Sequence, residues 1–273
     1  VINLIRSEWI KFRSVRSTVV LVLAAGLLVI VIAGFAANDR KGDIGGGRCE
    51  RTATLGDGET YTQTSPCDQV QGDPSWTEAK AHLGDITVGI PFALFLFGTL
   101  GVQIIGQEYR FNTIRPTFTA APWRVRVLLA KLAVVTTATA AVALVMVLIC
   151  GLIGAAVLSP FEIDGTDQRL ILGTVVFCAG WTMLGMGLGA IIRQPIAAML
   201  VLLVEAFVAE NIIFAISEST GRWLPFLNGI QMTVREPSTG STIRGPLEGG
   251  IYFFVVAAVI WAVGAFLANR RDA

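Results

Sequence analysis

Six apolar runs constrain this chain more than any other feature: 19–37, 86–106, 132–158, 170–192, 196–216 and 249–268. A hydrocarbon core about 30 Å thick takes about 20 residues of helix to cross. Each run meets that length, and the third is long enough to tilt or to project from the bilayer. Lipid offers no partner to a backbone N–H or C=O, so each run is expected to be a helix. Composition agrees, with 53% hydrophobic and 15% charged residues, where soluble domains carry about a quarter charged. The expected fold is an all-α integral membrane protein with six transmembrane helices.

Charge placement sets the expected orientation. With the N-terminus in the cytoplasm, the inner segments hold twelve Lys and Arg against three acids, and the longer outer segments hold nine against fifteen. Basic residues near span ends mark the cytoplasmic side. Both termini are therefore expected there, in a multi-pass protein of the plasma (inner) membrane. The first run has a basic flank and small residues at 34–37, as a signal peptide would. The patterned residues that precede it favour a span.

Residues 1–17 read as an amphipathic helix on the cytoplasmic surface. At 100° per residue, Leu4, Val15, Phe12, Ile5, Trp9 and Ile2 share one arc, and Arg6, Arg13 and Lys11 lie on the other side. Glu8 falls inside the apolar arc, which points to a protein contact rather than to lipid alone. The remainder, 18–273, reads as one six-span domain.

Its first outer loop, 38–85, is rich in Gly and Asp and has little periodicity. It carries Cys49 and Cys67, which an oxidising compartment would join as a disulfide. Cys150 and Cys178 lie in apolar spans and read as packing residues. His82, the single histidine, has no Cys or His cluster near it and reads as a surface residue; no metal site is expected. The segment 217–248 contains "RWLPFLNGIQM", too apolar for a free loop and too broken to span. It is expected to be re-entrant or interfacial.

Within the spans, Glu205 lies near the middle of the fifth. An ionised Asp at such a depth costs about 2.5–3.5 kcal/mol on an insertion scale, so Glu205 should face protein or a water-filled path. Glu205 and Glu210 are expected to line a translocation path, the alternative being acids that hold helices together. Five residues of ideal helix set the two about 140° apart, so no carboxyl pair on one face is expected. Gly185 and Gly189 have the G-x-x-x-G spacing that lets helix backbones approach, either within the chain or between copies. Pro91 is expected to kink the second span, and Pro195 to start the fifth helix.

Between spans two and three lies "GQEYRFNTIRPTFTAAPWRVRVLLAK", a charged, aromatic-bearing segment. Residues 106–115 suit a short helix that Pro116 ends. Aromatic and Arg side chains together fit a protein interface better than a solvated turn. This segment, "RSEWIKFRSVRST" before the first span and "WLPFLNGIQ" before the sixth resemble the type-2 ABC transporter permease family, in particular its short six-span actinobacterial members. The likeness covers the whole span layout and is weakest over 38–85.

That resemblance implies an N-terminal elbow helix and a coupling helix in the loop 107–126 that docks on a separate ATP-binding subunit. Two permeases, the same or homologous, and two ATPases would form the working unit. By position, Glu108, Tyr109, Arg110, Thr113 and Arg115 become coupling residues, with Glu8 and Lys11 in support. The chain contains no phosphate loop, no H-E-x-x-H helix and no G-x-S-x-G elbow. No catalytic residue and no cofactor are therefore expected in it; ATP and Mg2+ belong to the partner subunit. Membrane lipids are expected contacts and nucleic acid is not. The expected function is an exporter permease subunit for an amphiphilic or hydrophobic substrate such as an antibiotic, peptide or lipid. The rival is a membrane scaffold or sensor that recruits a cytoplasmic partner without transport.

Overall fold

The computed structural model describes residues 2–14, 16–54, 60–111, 124–235 and 242–271. Among the described residues, six helical stretches are long and apolar enough to cross a membrane: Val19–Gly45, Leu83–Arg110, Val125–Val157, Gly165–Ile192, Pro195–Ile216 and Pro246–Arg270. They cover the six apolar runs except for Leu158 and extend several of them. Helix α1 (Ile2–Ser14) precedes α2 (Arg16–Gly45), which continues about two turns beyond residue 37.

Spans two and four form the middle of the bundle. In their most apolar windows 61% and 67% of residues are buried, against 17% in spans one and five. Helix α4 (Ile90–Arg110) lies along α6 (Gly165–Ile192), and α6 also packs on α5 (Arg124–Val157) and α10 (Pro246–Arg271). Small residues permit the α4–α6 approach. A Cβ on Gly185 would collide with the Gly98 carbonyl, and one on Gly189 would stand 2.9 Å from the Val102 carbonyl oxygen. Both glycines thus pack inside this chain, where close backbone contact is what holds apolar helices together in lipid. Peripheral spans expose Leu23, Leu27, Phe35, Leu200, Val204 and Ile212 instead, as a lipid boundary requires.

The second span is interrupted just before Pro91. Helix α3 (Leu83–Ile86) and a 3-10 turn lead into α4, and Pro91 stands in the first turn of α4, where its missing N–H costs no intrahelical bond. Pro195 likewise begins α7 (Pro195–Val204). The fifth span then passes through a π-turn, Glu205–Ala209, into α8 (Glu210–Ile216).

At the end of the bundle away from α1, the 38–85 region is more ordered than its composition suggests, and it adds a small sheet to the helical fold. β1 (Arg48–Thr54) pairs antiparallel with β2 (Thr60–Pro66) on one side and with β3 (Thr77–Glu78) on the other, giving the order β2-β1-β3. The register sets Cys49 opposite Ser65 and Arg51 opposite Gln63, and the Arg51 side chain donates to Gln63 Oε1 at 2.6 Å. A disulfide joins Cys49 to Cys67 and closes this cap. β4 (Ala81–His82) pairs in parallel with β5 (Phe161–Glu162), tying the cap to the loop between spans three and four.

Residues 217–235 fold back against the bundle as a 3-10 turn (Glu218–Trp223), α9 (Pro225–Ile230) and a second turn (Gln231–Thr233). Phe226 enters an aromatic cluster with Trp181, Phe177 and Phe253; Trp181–Phe226 and Phe177–Phe253 centroids are 5.0 and 4.6 Å apart. Asn228, fully buried, donates to the Gly221 and Leu224 carbonyls at 2.7 and 2.6 Å and accepts from the Arg244 amide at 2.9 Å. Its polar groups are thus matched inside protein, the condition under which irregular backbone tolerates an apolar setting.

Candidate functional site

The base of the bundle, the end that carries α1, is held by a buried ion cluster. Glu8 is placed by the amphipathic pattern of α1 on the face that meets α5, and Lys131 lies two turns into α5. The Lys131 ammonium donates to Glu8 Oε2 at 2.6 Å and to Glu108 Oε1 at 2.7 Å, with Lys131 3% and Glu8 5% exposed. Charge-assisted bonds of this length are the strong class. Three elements meet on one nitrogen: α1, the end of α4 and the start of α5. Glu8 in an apolar arc was the signal of a protein contact. Lys131 carries no such signal among the basic residues, because its partner is 123 residues away and no local spacing records such a pair.

This geometry changes the expected coupling element. Gly106 to Arg110 do not begin a separate helix; they are the last turns of α4, and the Phe111 amide still donates to the Gln107 carbonyl at 2.9 Å. Glu108 turns inward to Lys131. The Tyr109 ring lies under the Arg193 guanidinium, 4.9 Å from centroid to Cζ, so it ties α4 to the turn between spans four and five. Arg193 adopts a left-handed conformation there, φ 60°, which ends α6. Arg110 and Phe111 remain exposed at the tip. Thr113, Arg115 and the Lys11 side chain lie outside the described residues.

The fifth span supplies a second constellation, and the expectation that its acids point apart is wrong. Across the π-turn the Glu210 amide donates to the Glu205 carbonyl, so residue i+5 lies much nearer the azimuth of residue i than the roughly 140° of an unbroken α-helix. The two carboxyl groups meet within hydrogen-bonding reach. Glu210 is 2% exposed, and its two oxygens accept the Phe226 and Leu227 amides at 2.9 and 2.7 Å. Those are orphan donors at the start of α9. Glu210 therefore anchors the folded-back segment, about 22 Å along the fifth span from Pro195 at 1.5 Å per residue. Glu205 borders the exposed face made by Val201, Val204 and Val208.

A third polar group lies at the cap. Asp164 caps α6 by accepting the Thr166 and Asp167 amides, and the Asp167 side chain accepts the Asp164 amide in return. Arg235 donates to both Asp164 oxygens at 3.1 and 2.8 Å and pairs with Asp167 at 2.9 Å. Hydrogen bonds from Arg235, then from the Asp167 amide, hold the Asp164 carboxyl down at about 2. His82 is not a surface residue: only 21% of its side chain is exposed, and Nδ1 faces Asp167 at 3.8 Å. Its amide donates to Asp85. Arg40, reaching from the end of α2, pairs with Asp85 and Glu50 and so binds the sheet to the first span.

The chain is thus a multi-pass helical membrane protein with an ion-paired base, a carboxyl pair in its fifth span and a disulfide-closed cap. Compared with models of protein families and with curated proteins, it gives no match in either comparison.

Proposed function

We propose that this chain is the permease subunit of an ATP-driven ABC exporter, moving an amphiphilic or hydrophobic substrate outward across the plasma membrane, with both termini cytoplasmic. Two copies of a separate ATP-binding subunit hold ATP and Mg2+, and a second permease copy completes the translocation path. The observation that carries this reading is the Lys131 cluster. It makes the N-terminal helix, the end of span two and the start of span three one unit, and Tyr109 over Arg193 adds the turn between spans four and five. A push on the segment that joins α4 to α5 then reaches four elements as a rigid-body motion, the kind of input that switches a bundle between two packings.

In this reading Glu8, Glu108 and Tyr109 transmit motion within the chain, and Arg110 with Phe111 leads the docking surface. Glu205 faces the path, while Glu210 positions it and fixes α9. The carboxyl near the exposed side of span five favours substrates that carry a polar or cationic group beside an apolar body, since an acid at this depth needs a partner.

Photo-cross-linking from position 111 in intact native membranes tests the docking surface. The expected adduct is a polypeptide bearing a phosphate-loop motif, lost on Arg110→Glu. Adducts confined to lipid and to this chain itself contradict the proposal.

A further inference from the structure

We propose that His82, Asp164 and Asp167 form a zinc site at the cap end of the bundle, for which Arg235 is the built-in competitor. The inference does not rest on the transport reading. One ligand atom from each of the three residues lies within 4.8 Å of the others. A tetrahedral zinc with bonds of about 2.0–2.1 Å spaces its ligands about 3.3 Å apart, so closure needs shifts of roughly 1.5 Å or less.

Two buried atoms carry the argument beyond proximity. Asp167 has no exposed surface, yet its Oδ1 has no hydrogen-bond partner; His82 Nδ1 has none either. Buried polar atoms are nearly always paired. The imidazole Nδ1 lies 3.8 Å from the other oxygen of the same carboxylate, Asp167 Oδ2, which Arg235 holds at 2.9 Å; that gap is too long for a hydrogen bond and short enough to share a cation. One imidazole and two carboxylates suit zinc; an all-oxygen shell would suit calcium or magnesium.

Arg235 supplies the positive charge that the two aspartates hold in the structure. Its guanidinium contacts both carboxylates, and Arg169 fixes the backbone beside it by donating to the Val234 and Arg235 carbonyls at 3.0 and 2.8 Å. Zinc and Arg235 therefore compete for the same oxygens. Zinc bound there joins β4 of the cap directly to the first turn of α6 and releases residue 235, so it alters how the folded-back segment is held.

The experiment is a zinc titration, by calorimetry, of the purified full chain with its disulfide intact, metal-stripped and carrying a tag without histidine. His82 is the only histidine of the chain, so His82→Ala removes every imidazole. One zinc per chain is expected. His82→Ala and Asp164→Asn should each weaken binding at least tenfold, Arg235→Gln should tighten it at least tenfold, and calcium and magnesium should not compete. Monodispersity and disulfide mapping verify that each variant is folded. Absence of saturable zinc binding in the wild type overturns the proposal, even if Arg235→Gln binds. Binding unchanged in His82→Ala, or not tightened by Arg235→Gln, also overturns it.

Discussion

Replacing Lys131 by methionine removes a buried cation that bonds both Glu8 and Glu108 while keeping most of the side-chain volume. Glu8 is 5% exposed, and the Glu108 side chain 16%, so water cannot readily take over from the ammonium. Removing one partner of a buried pair costs about 3–5 kcal/mol, because the remaining charge is left uncompensated. Lys131→Met should lie in that range. Glu8→Gln leaves Lys131 paired with Glu108 and should cost about 1–3 kcal/mol, the loss of a charged hydrogen bond. Neutralising all three positions, as Glu8→Gln, Glu108→Gln and Lys131→Met together, should recover part of the single-variant loss, since a buried ion pair replaced by neutral groups is often tolerated. Steric-trapping unfolding in detergent micelles measures these free energies, and proteolysis of α1 reports its release. A Lys131→Met cost below about 1 kcal/mol, or a triple variant less stable than Lys131→Met, would refute the claim that the cluster holds the base together.

Other consequences follow from the remaining sites. Glu210→Leu leaves the Phe226 and Leu227 amides without acceptors; hydrogen exchange at those two amides should accelerate at least tenfold, about 1.4 kcal/mol or more, and unchanged protection would remove the anchoring role. Gly185→Val drives a side chain into the Gly98 carbonyl and should lower the melting point equally at all protein concentrations. A loss confined to high concentration would instead place Gly185 between copies. The Asp164 carboxyl sits at about 2 against an ordinary 3.8. Its pairing with Arg235 therefore stabilises the fold above about pH 4 and loses that effect as pH falls toward 2. The melting-point difference between wild type and Arg235→Gln should shrink across that window; a constant difference would contradict it.

Much of this architecture was legible in the sequence because lipid imposes simple rules. Length and apolarity mark the spans, and the glycines of span four mark a close packing surface. Glu8 in an apolar arc announced a buried contact without naming Lys131, since an ion pair between distant elements leaves no periodicity. The Glu205–Glu210 pair was hidden for a different reason. A helix wheel assumes 100° at every residue, and one π-turn narrows the offset that kept the two acids apart. The cap sheet was not read from the sequence: 38–85 is rich in Gly and Asp and looked aperiodic, although threonines alternate on both sides of "GDG", a hairpin signal. His82 looked isolated because Asp164 and Asp167 approach it from the cap and first turn of α6, far away in sequence.

The central claim, that this chain works with a separate ATPase, is tested most directly by purifying it with a non-histidine tag from its native membrane in mild detergent and measuring ATP turnover of the eluate. A stoichiometric co-purifying subunit with a phosphate loop, whose turnover depends on this chain and falls with Lys131→Met at constant recovery, is the predicted result. A clean, folded chain without such a subunit, both after detergent extraction and after cross-linking in intact membranes, would contradict the transport reading and favour a scaffold.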